Sequence, residues 1–225
     1  MLTVRDPGGE ATRADARGGA IFPGANETFG CNAVPSSIGF SAWLQPGPLQ
    51  PRPRPPLIPN AKSIAVLANA GNPSANFEVD EAQSAATLLG LKSHVERTGD
   101  ARDFARAFTS ITEHRADALL VATDPFFESL QGTLVGLAAQ HAIPTIYAMR
   151  EYVLGGGLMS YGASVTDLYR QAGVYVGRIL KGEKTDDLPV TQPSKFEFAV
   201  NMTTAKVLRL DVPASILLRP DELIE

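Results

Sequence analysis

From Ser63 onward, short apolar runs alternate with longer segments in which apolar residues recur every three or four positions. Three of the runs have the length and the composition of buried strands, at 63–68, 118–122 and 144–148. The more polar stretch 92–96 is predicted as a fourth strand, the second in chain order. Connections of only a few residues join these runs to the segments between them. This alternation of strand and helix predicts an α/β fold, with an open parallel sheet flanked by helices.

The segments between the strands carry the signals of helices. Apolar spacing predicts a helix over 78–89 and another over 129–141. Asp100 is a predicted N-cap, and the helix that follows it has Phe104 and Phe108 on one face. An apolar face of this kind is what a helix needs in order to pack on one side of a sheet.

Polar and aromatic residues follow three of the strands at the points where the strands end. They are Asn69 and Asn72, then Asp124, Phe126 and Phe127, then Tyr147, Arg150 and Glu151. Because the carboxyl ends of parallel strands meet at one edge of a sheet, we expect these side chains to lie near one another. Amides, carboxylates and aromatic rings at such an edge suit a small ligand with polar ends and an apolar body.

Several of these residues also have a purely structural interpretation. Asp124 suits a ligand contact and a turn or helix cap equally well. Asn69 and Asn72 are turn formers as well as candidate ligand contacts. Phe126 and Phe127 are adjacent, and adjacent residues of an extended segment point to opposite sides. We therefore expect one of the two rings in the core and the other in the cleft.

Residues 1–57 differ from the rest of the chain in composition. Six prolines lie within 46–56. Because proline fixes φ and lacks an amide donor, this stretch is not expected to form a helix or an interior strand. The preceding stretch is rich in glycine and has no periodic apolar face. We expect residues 1–57 to be an irregular arm and the folded part to span 58–225.

Composition and charge narrow the classes of partner. Hydrophobic residues make up 44% of the chain and charged residues 20%, and the formal net charge is -4. So mild a charge does not favour nucleic acid or an anionic membrane as a partner. The single cysteine, Cys31, excludes an intrachain disulfide and a thiolate-rich metal site. Since His94, His114 and His141 lie far apart in the sequence, we interpret each as a surface or helix-end residue and expect no metal site.

The motifs of common α/β enzymes are incomplete in this chain. Residues 177–182 begin like a phosphate-binding loop, but Glu183 follows where the lysine of that loop is required. Residues 155–162 satisfy neither the dinucleotide-binding pattern nor the nucleophile elbow. We therefore expect no catalytic activity and no cofactor.

Several stretches of the folded part resemble one family. They are 64–69 with 72–73, 118–127, 141–147, 150–151, 156–162, 167–173, 177–184, 188–197, Asn201 and 204–206. Together, over about residues 57–225, they are similar to the ABC-transporter substrate-binding proteins of the type I periplasmic-binding fold, in the group with aromatic amino-acid binders.

This resemblance implies two α/β lobes joined by a hinge, with a small organic solute such as an amino acid held between them. The partners implied are that solute and the permease subunits of an ABC importer. Residues 58–225 are then expected to be the second lobe with a C-terminal crossover segment, and the hinge is expected near 152–162. A chain without the first lobe is expected to be a truncated form. The resemblance implies a periplasmic protein or a lipoprotein, whereas the chain as given has no signal peptide and is expected to be cytoplasmic.

The resemblance also adds expectations for single residues. Tyr161 follows the glycines of the hinge and is expected to enter the cleft. Arg150 and Glu151 form an ion pair with each other or contact the ligand. The helix around 169–180 is expected to pack on the missing lobe, so its apolar side chains should be uncovered and able to drive self-association. These side chains are Ala172, Val176, Ile179 and Leu180.

Two other function classes share this fold class. A doubly wound enzyme domain, either a hydrolase or a nucleotide-binding domain, is disfavoured by the incomplete motifs. The effector-binding domain of a transcriptional regulator requires a basic helix-turn-helix, and residues 1–57 supply none. The sequence therefore favours the solute-binding component of an importer.

Overall fold

The computed structural model describes residues 57–58, 60–189, 191, 193–217 and 220–225. Apart from Leu57, the predicted arm of residues 1–57 lies outside the described residues and stays a prediction. Leu57 itself is buried in the core. Within the described residues, seven strands form one sheet. They are β1 (Ser63–Asn69), β2 (Lys92–Thr98), β3 (Ala118–Val121), β4 (Thr145–Tyr147), β5 (Met159–Ala163), β6 (Phe196–Asn201) and β7 (Glu222–Ile224).

Helices and short 3-10 turns connect the strands. The α-helices of the described part are α1 (Ala75–Leu88), α2 (Phe104–Glu113), α3 (Pro125–Ser129), α4 (Gln131–Gln140), α5 (Arg150–Leu154), α6 (Val165–Leu180), α7 (Met202–Val207) and α8 (Ala214–Leu217). The 3-10 turns are Ala101–Asp103 and Thr185–Asp187. None of these helices has the length and apolar character that a membrane span needs.

The sheet has the order β2-β1-β3-β4-β5-β6-β7. The first five strands in this order are parallel, which confirms the predicted parallel arrangement of the four predicted strands. β6 is antiparallel to β5, and β7 is parallel to β6. The starts of β6 and β7 therefore lie at the same edge as the ends of β1, β3, β4 and β5. We call this edge the carboxyl edge.

Both faces of the sheet are covered, which explains the unbroken apolar run of β1. Ile64, Val66 and Ala68 face one core cluster with α1, whereas Ala65 and Leu67 face a second cluster with α2 and α4. All five are fully buried. A strand buried on both faces has no need for alternating polar positions.

The helix predicted over 129–141 is α4, and a short helix that was not predicted, α3, precedes it. Leu130 separates α3 from α4 with φ -115° and ψ 21°, which is not helical. The first of the two begins four residues before the predicted start, because Asp124 caps its amino end and Pro125 fits the first helical position. The predicted helix is therefore present with slightly shorter bounds, and α3 is an additional helix that begins at the cap considered for Asp124.

The long helix α6 has no buried residue. Its apolar side chains face solvent, with Val176 55% exposed and Leu180 82% exposed. Ala172 and Ile179 are exposed as well, so the expectation of an uncovered apolar face is confirmed.

Candidate functional site

Asp124 lies at the centre of a hydrogen-bond network at the carboxyl edge. Its carboxylate is 3% exposed and accepts from the Asn69 amide at 2.9 Å and from the Asn72 amide at 2.7 Å. The oxygens of the two asparagine side chains accept from the backbone amides of Gly71 and Ser74. Each asparagine is thereby fixed with its nitrogen towards the carboxylate. The structure therefore brings these three predicted residues together.

The same carboxylate caps helix α3. Asp124 Oδ1 accepts from the backbone amides of Phe126 at 2.9 Å and Phe127 at 3.4 Å. An N-cap carboxylate satisfies amides that have no partner within the helix. The capping interpretation of Asp124 is confirmed, and its contact with a ligand stays a prediction.

The two adjacent phenylalanines differ in burial. Phe127 is fully buried and meets Phe104 edge-on, with ring centroids 5.6 Å apart. Phe126 is only partly buried, 5.9 Å from the same Phe104 ring. The expected difference is present, but its reason was wrong, since both residues lie in the first turn of α3 and not in an extended segment. Rotation about a helix axis sends neighbouring side chains in different directions.

The charge at this edge is negative. Burial raises the pKa of Glu78, the Thr123 amide that donates to it at 2.8 Å lowers it, and the nearby Asp124 charge raises it again. Burial also raises the pKa of Glu128, and the charges of Asp124 and Glu151 add to this effect. Asp124 therefore repels both Glu78 and Glu128, and Glu151 repels Glu128. Such a surface favours a positively charged group in a ligand.

Sequence reasoning missed Glu78 and Glu128 as members of this group. Glu78 lies in the first turn of α1 and Glu128 in the first turn of α3. Both therefore sit just beyond strand ends, in the same layer as the predicted residues. An acidic residue in the first turn of a helix that follows a strand was the available signal for both.

Tyr147 lies inside the core. It is 1% exposed and stacks on Tyr152, with centroids 4.5 Å apart. Its hydroxyl has no hydrogen-bond partner within the described part of the chain. A Cβ at Gly157 would lie 2.7 Å from the Tyr147 ring, so the turn after α5 packs directly on it. The structure does not bring Tyr147 to the surface of the edge, and its ligand contact stays a prediction.

A cleft of about 390 Å³ opens at the other half of the carboxyl edge. Its walls are Arg150, Lys195, Glu197, Phe198, Ala199, Asp221 and Glu222. The Arg150 guanidinium lies 3.2 Å from Glu222 and 3.9 Å from Glu151. The predicted Arg150–Glu151 pair is therefore present but is the longer of the two contacts. Because β7 was not predicted, Glu222 was not expected at this edge.

Tyr161 is in the middle of β5 and is partly buried. Its ring stacks on Phe196 at 5.9 Å and meets Phe198 edge-on at 6.4 Å, both from the antiparallel neighbour β6. The next residue is Gly162, where a Cβ would lie 1.9 Å from the carbonyl oxygen of Ala148. β5 thus approaches the end of β4 too closely for any side chain. The entry of Tyr161 into a cleft stays a prediction.

Two of the three histidines are in contact, which corrects the interpretation that all three lie apart. The His94 and His114 rings stack with centroids 3.8 Å apart and an interplanar angle of 15°. Their separation of twenty positions hides this contact, because α2 runs back along the sheet and ends beside the start of β2. Sequence spacing detects ligand pairs on one element but not across a strand and the helix that follows it.

Comparison with known proteins supports one assignment. Residues 55–224 match the family model described as ABC transporter substrate binding protein. The "Tyrosine-binding protein" of Clostridioides difficile strain R20291 is 26% identical over 152 residues, which are 68% of this chain and 44% of that protein.

Two solved structures are similar in fold and in sequence. An ABC domain from Streptococcus pneumonia in complex with L-Trp has a TM-score of 0.68 and 27% identity. The match covers 75% of this chain and 58% of the Streptococcus chain. A conserved domain protein from Vibrio cholerae has a TM-score of 0.68 and 26% identity, covering 74% and 56%. The chain thus spans about half the length of the relatives it matches.

Proposed function

The chain belongs to the family of ABC transporter substrate-binding proteins, and from this membership we propose that it supplies one lobe of a receptor that binds an amino acid for an ABC importer. The observation that carries the proposal is the group of carboxylates around the Asn69–Asn72–Asp124 network. In this proposal the partners are the solute and the permease subunits, and the place of action is the periplasm or the outer face of the membrane.

The amino-acid class rests on charge and on the relatives. One relative is named a tyrosine-binding protein, and another was solved with L-Trp. An amino acid carries an ammonium group, and Asp124, Glu128 and Glu151 present carboxylates within reach of one another's charge. A hydrogen bond between such charged groups contributes about 1.5–3 kcal/mol. We assign the ammonium group to this side of the edge.

The other groups of the solute have partners along the same edge. Arg150 is 43% exposed on its side chain and offers a planar donor fork for the solute carboxylate. The partly buried Phe126 ring supplies a wall for an aromatic solute, worth about 0.5–1.5 kcal/mol beyond area burial. Tyr161 is proposed as a second wall. The buried Phe127 and Tyr147 are proposed to hold these side chains from behind.

The proposal that the chain is one lobe rests on its share of the relatives' length. In a two-lobed receptor the solute contacts both lobes, so this lobe alone forms only part of the site. Loss of about 4 kcal/mol of contacts weakens binding roughly a thousandfold. We expect a Kd of about 1 mM for the chain as given, in place of the micromolar values common for small solutes.

Titration of the amide resonances with L-tyrosine and L-tryptophan tests this function. The side-chain amides of Asn69 and Asn72 should shift, since their hydrogens point at Asp124. N-acetyl-L-tyrosine lacks the ammonium group and tyramine lacks the carboxylate, so both should bind at least tenfold more weakly. Equal binding of N-acetyl-L-tyrosine would exclude the carboxylates as the ammonium site.

Substitution of the acidic residues provides a second test. Glu128→Gln and Glu151→Gln should each weaken the binding of L-tyrosine about tenfold, which corresponds to about 1.4 kcal/mol. Glu113→Gln is the matched control, because Glu113 is exposed at the end of α2. Micromolar binding by the chain alone would contradict the one-lobe proposal. Unchanged binding in both variants would contradict the assigned site.

A further inference from the structure

A second cluster of polar side chains lies on the outer strand β2, away from the carboxyl edge. His94 and Glu96 are two positions apart on β2, so both point to the same face of the sheet. His114 is the C-cap residue of α2 and stacks on His94. The nitrogen and oxygen donor atoms of the three residues all lie within 4.8 Å of one another.

Hydrogen bonds fix the orientation of the His114 ring. Its Nδ1 lies 2.8 Å from the backbone carbonyl oxygen of Ser110. A carbonyl oxygen only accepts, so Nδ1 carries the proton and donates it, and Nε2 keeps its lone pair. Histidines that bind metals usually donate their other ring nitrogen to a carbonyl or a carboxylate in this way, which sets the tautomer and the ring plane. The His114 ring is therefore held as a ligand would be.

Glu96 is held as an acceptor by the same group of residues. Its Oε1 accepts from the Ser110 hydroxyl and lies 2.9 Å from His94 Nε2. The carboxylate therefore lies beside the stacked pair of imidazoles, next to His94.

We propose that His94, Glu96 and His114 bind a divalent transition-metal ion of the zinc type. Two imidazole nitrogens and one carboxylate oxygen match the donor preference of Zn²⁺. Ligands at about 2.0–2.2 Å in tetrahedral geometry lie roughly 3.4 Å apart. One donor atom of each residue already lies within 4.8 Å of the other two. The two rings leave their stacked arrangement when both ring nitrogens turn towards one ion. Water completes the coordination shell.

The position of this site separates it from the proposed solute site. His94 is paired with Ala65 in the sheet, four residues before the Asn69–Thr98 pair at the carboxyl edge. At about 3.3 Å per residue this is roughly 13 Å along the strand. The ion joins the C-cap residue of α2 to β2, so it stabilises the packing of that helix on the sheet.

Calorimetry and melting of the full chain, stripped with a chelator and titrated with ZnCl₂, test the proposal. We expect one ion bound per chain and a melting temperature raised by about 5–10 °C at a hundredfold excess over Kd. His94→Gln, Glu96→Gln and His114→Gln should each weaken binding at least tenfold. His141→Gln is the matched control, because His141 contacts Thr112 at 3.1 Å and lies outside the cluster. Cys31→Ser is a second control, and both controls should bind as the wild type does.

A measurement on the wild type avoids any variant that folds poorly. Among the three histidines, the ring Cε1–H resonances of His94 and His114 should shift with Zn²⁺ and that of His141 should not. Absence of saturable binding would overturn the proposal. So would binding that survives His94→Gln and His114→Gln, or binding that is lost in Cys31→Ser.

Discussion

Helices α2 and α6 have similar apolar spacing, but their apolar faces lie in different surroundings. In α2 the apolar side chains Phe104, Ala107, Phe108 and Ile111 are all at most 3% exposed. In α6 no residue is buried, and Leu180 is 82% exposed. Amphipathic spacing therefore shows that a helix has a face to bury. It does not show that the same chain provides the surface that buries it.

The connections of the two helices account for the difference. α2 crosses from β2 to β3 over β1, so its apolar face lies on a sheet of neighbouring parallel strands. α6 leaves β5, and the chain then returns to the carboxyl edge to begin the antiparallel β6. The Tyr175 hydroxyl donates to the Pro189 carbonyl at 2.6 Å, so the returning segment touches α6 through a polar contact. The apolar face of α6 remains open.

The largest expected effect is on stability, when one side chain on the apolar face of α2 and one on that of α6 are each replaced with alanine. Phe108→Ala should lower the free energy of unfolding by about 3–5 kcal/mol, because it removes a fully buried ring. Leu180→Ala should change it by less than about 0.5 kcal/mol, because the side chain is in solvent. Urea unfolding of both variants measures the difference. A large loss in Leu180→Ala would mean that α6 is covered in solution.

The amino ends of the helices sharpen the comparison. Asp124→Ala removes the cap of α3 and the acceptor of two asparagine amides, so it should cost about 1–3 kcal/mol. Ser164 caps α6, accepting from Asp167 at 3.3 Å and donating to Glu197 at 2.6 Å. Ser164→Ala should cost about 1 kcal/mol. Thermal melting measures both effects. An unchanged melting temperature in Ser164→Ala would show that contacts of the helix face, and not the N-cap, stabilise α6.

The open face of α6 is expected to drive weak self-association, as the sequence predicts. The double variant Val176→Glu, Leu180→Glu should weaken association at least tenfold, or about 1.4 kcal/mol, because it places charges on the apolar face. Sedimentation velocity over a range of concentrations measures this. Thr166→Glu, exposed in the first turn of the same helix, is the control and should associate as the wild type does. A wild type that stays monomeric would contradict the prediction.

The smallest expected effect is on the pH dependence of stability, and it distinguishes a buried from an exposed carboxyl group in α1. Because the pKa of Glu78 is raised in the folded state, the folded chain binds a proton at this carboxyl group more tightly than the unfolded chain does. Stability from this group therefore grows as pH falls through the raised pKa and levels off below the ordinary value of 4.5. Glu78→Gln should be more stable than the wild type at pH 7, and the difference should shrink as the solution is acidified. Asp80→Asn, exposed on the same helix, should show no such trend.

The strands were predictable because a strand buried on both faces needs an uninterrupted run of apolar residues, which is visible in the local sequence. Residues 64–68 and 118–122 are apolar without interruption, and the predicted strands 63–68 and 118–122 form β1 and β3 with ends within one residue of the prediction. The N-cap Asp100 was also predictable from neighbouring residues, since its carboxylate accepts from the backbone amide of Arg102, two positions away. These features depend on residues close together in the chain.

The parts of the site that escaped prediction depend on distant residues. The stacking of His94 on His114 requires the length and direction of α2. The burial of Tyr147 requires Tyr152 and Gly157 to close over it. The pairing of Arg150 with Glu222 requires β7, a strand of three residues with little apolar signal. Such contacts follow from the fold and are not encoded in local spacing.

The two outermost strands of the described sheet have a consequence for aggregation. Unpaired strand edges recruit strands from other chains, and proteins prevent this with charge and with short edges. β2 carries Lys92, Glu96 and Arg97 along its length, and β7 has only three residues. Both edges are thus protected against growth of the sheet from chain to chain. Fibre formation by strand pairing is therefore disfavoured at both edges of the described sheet.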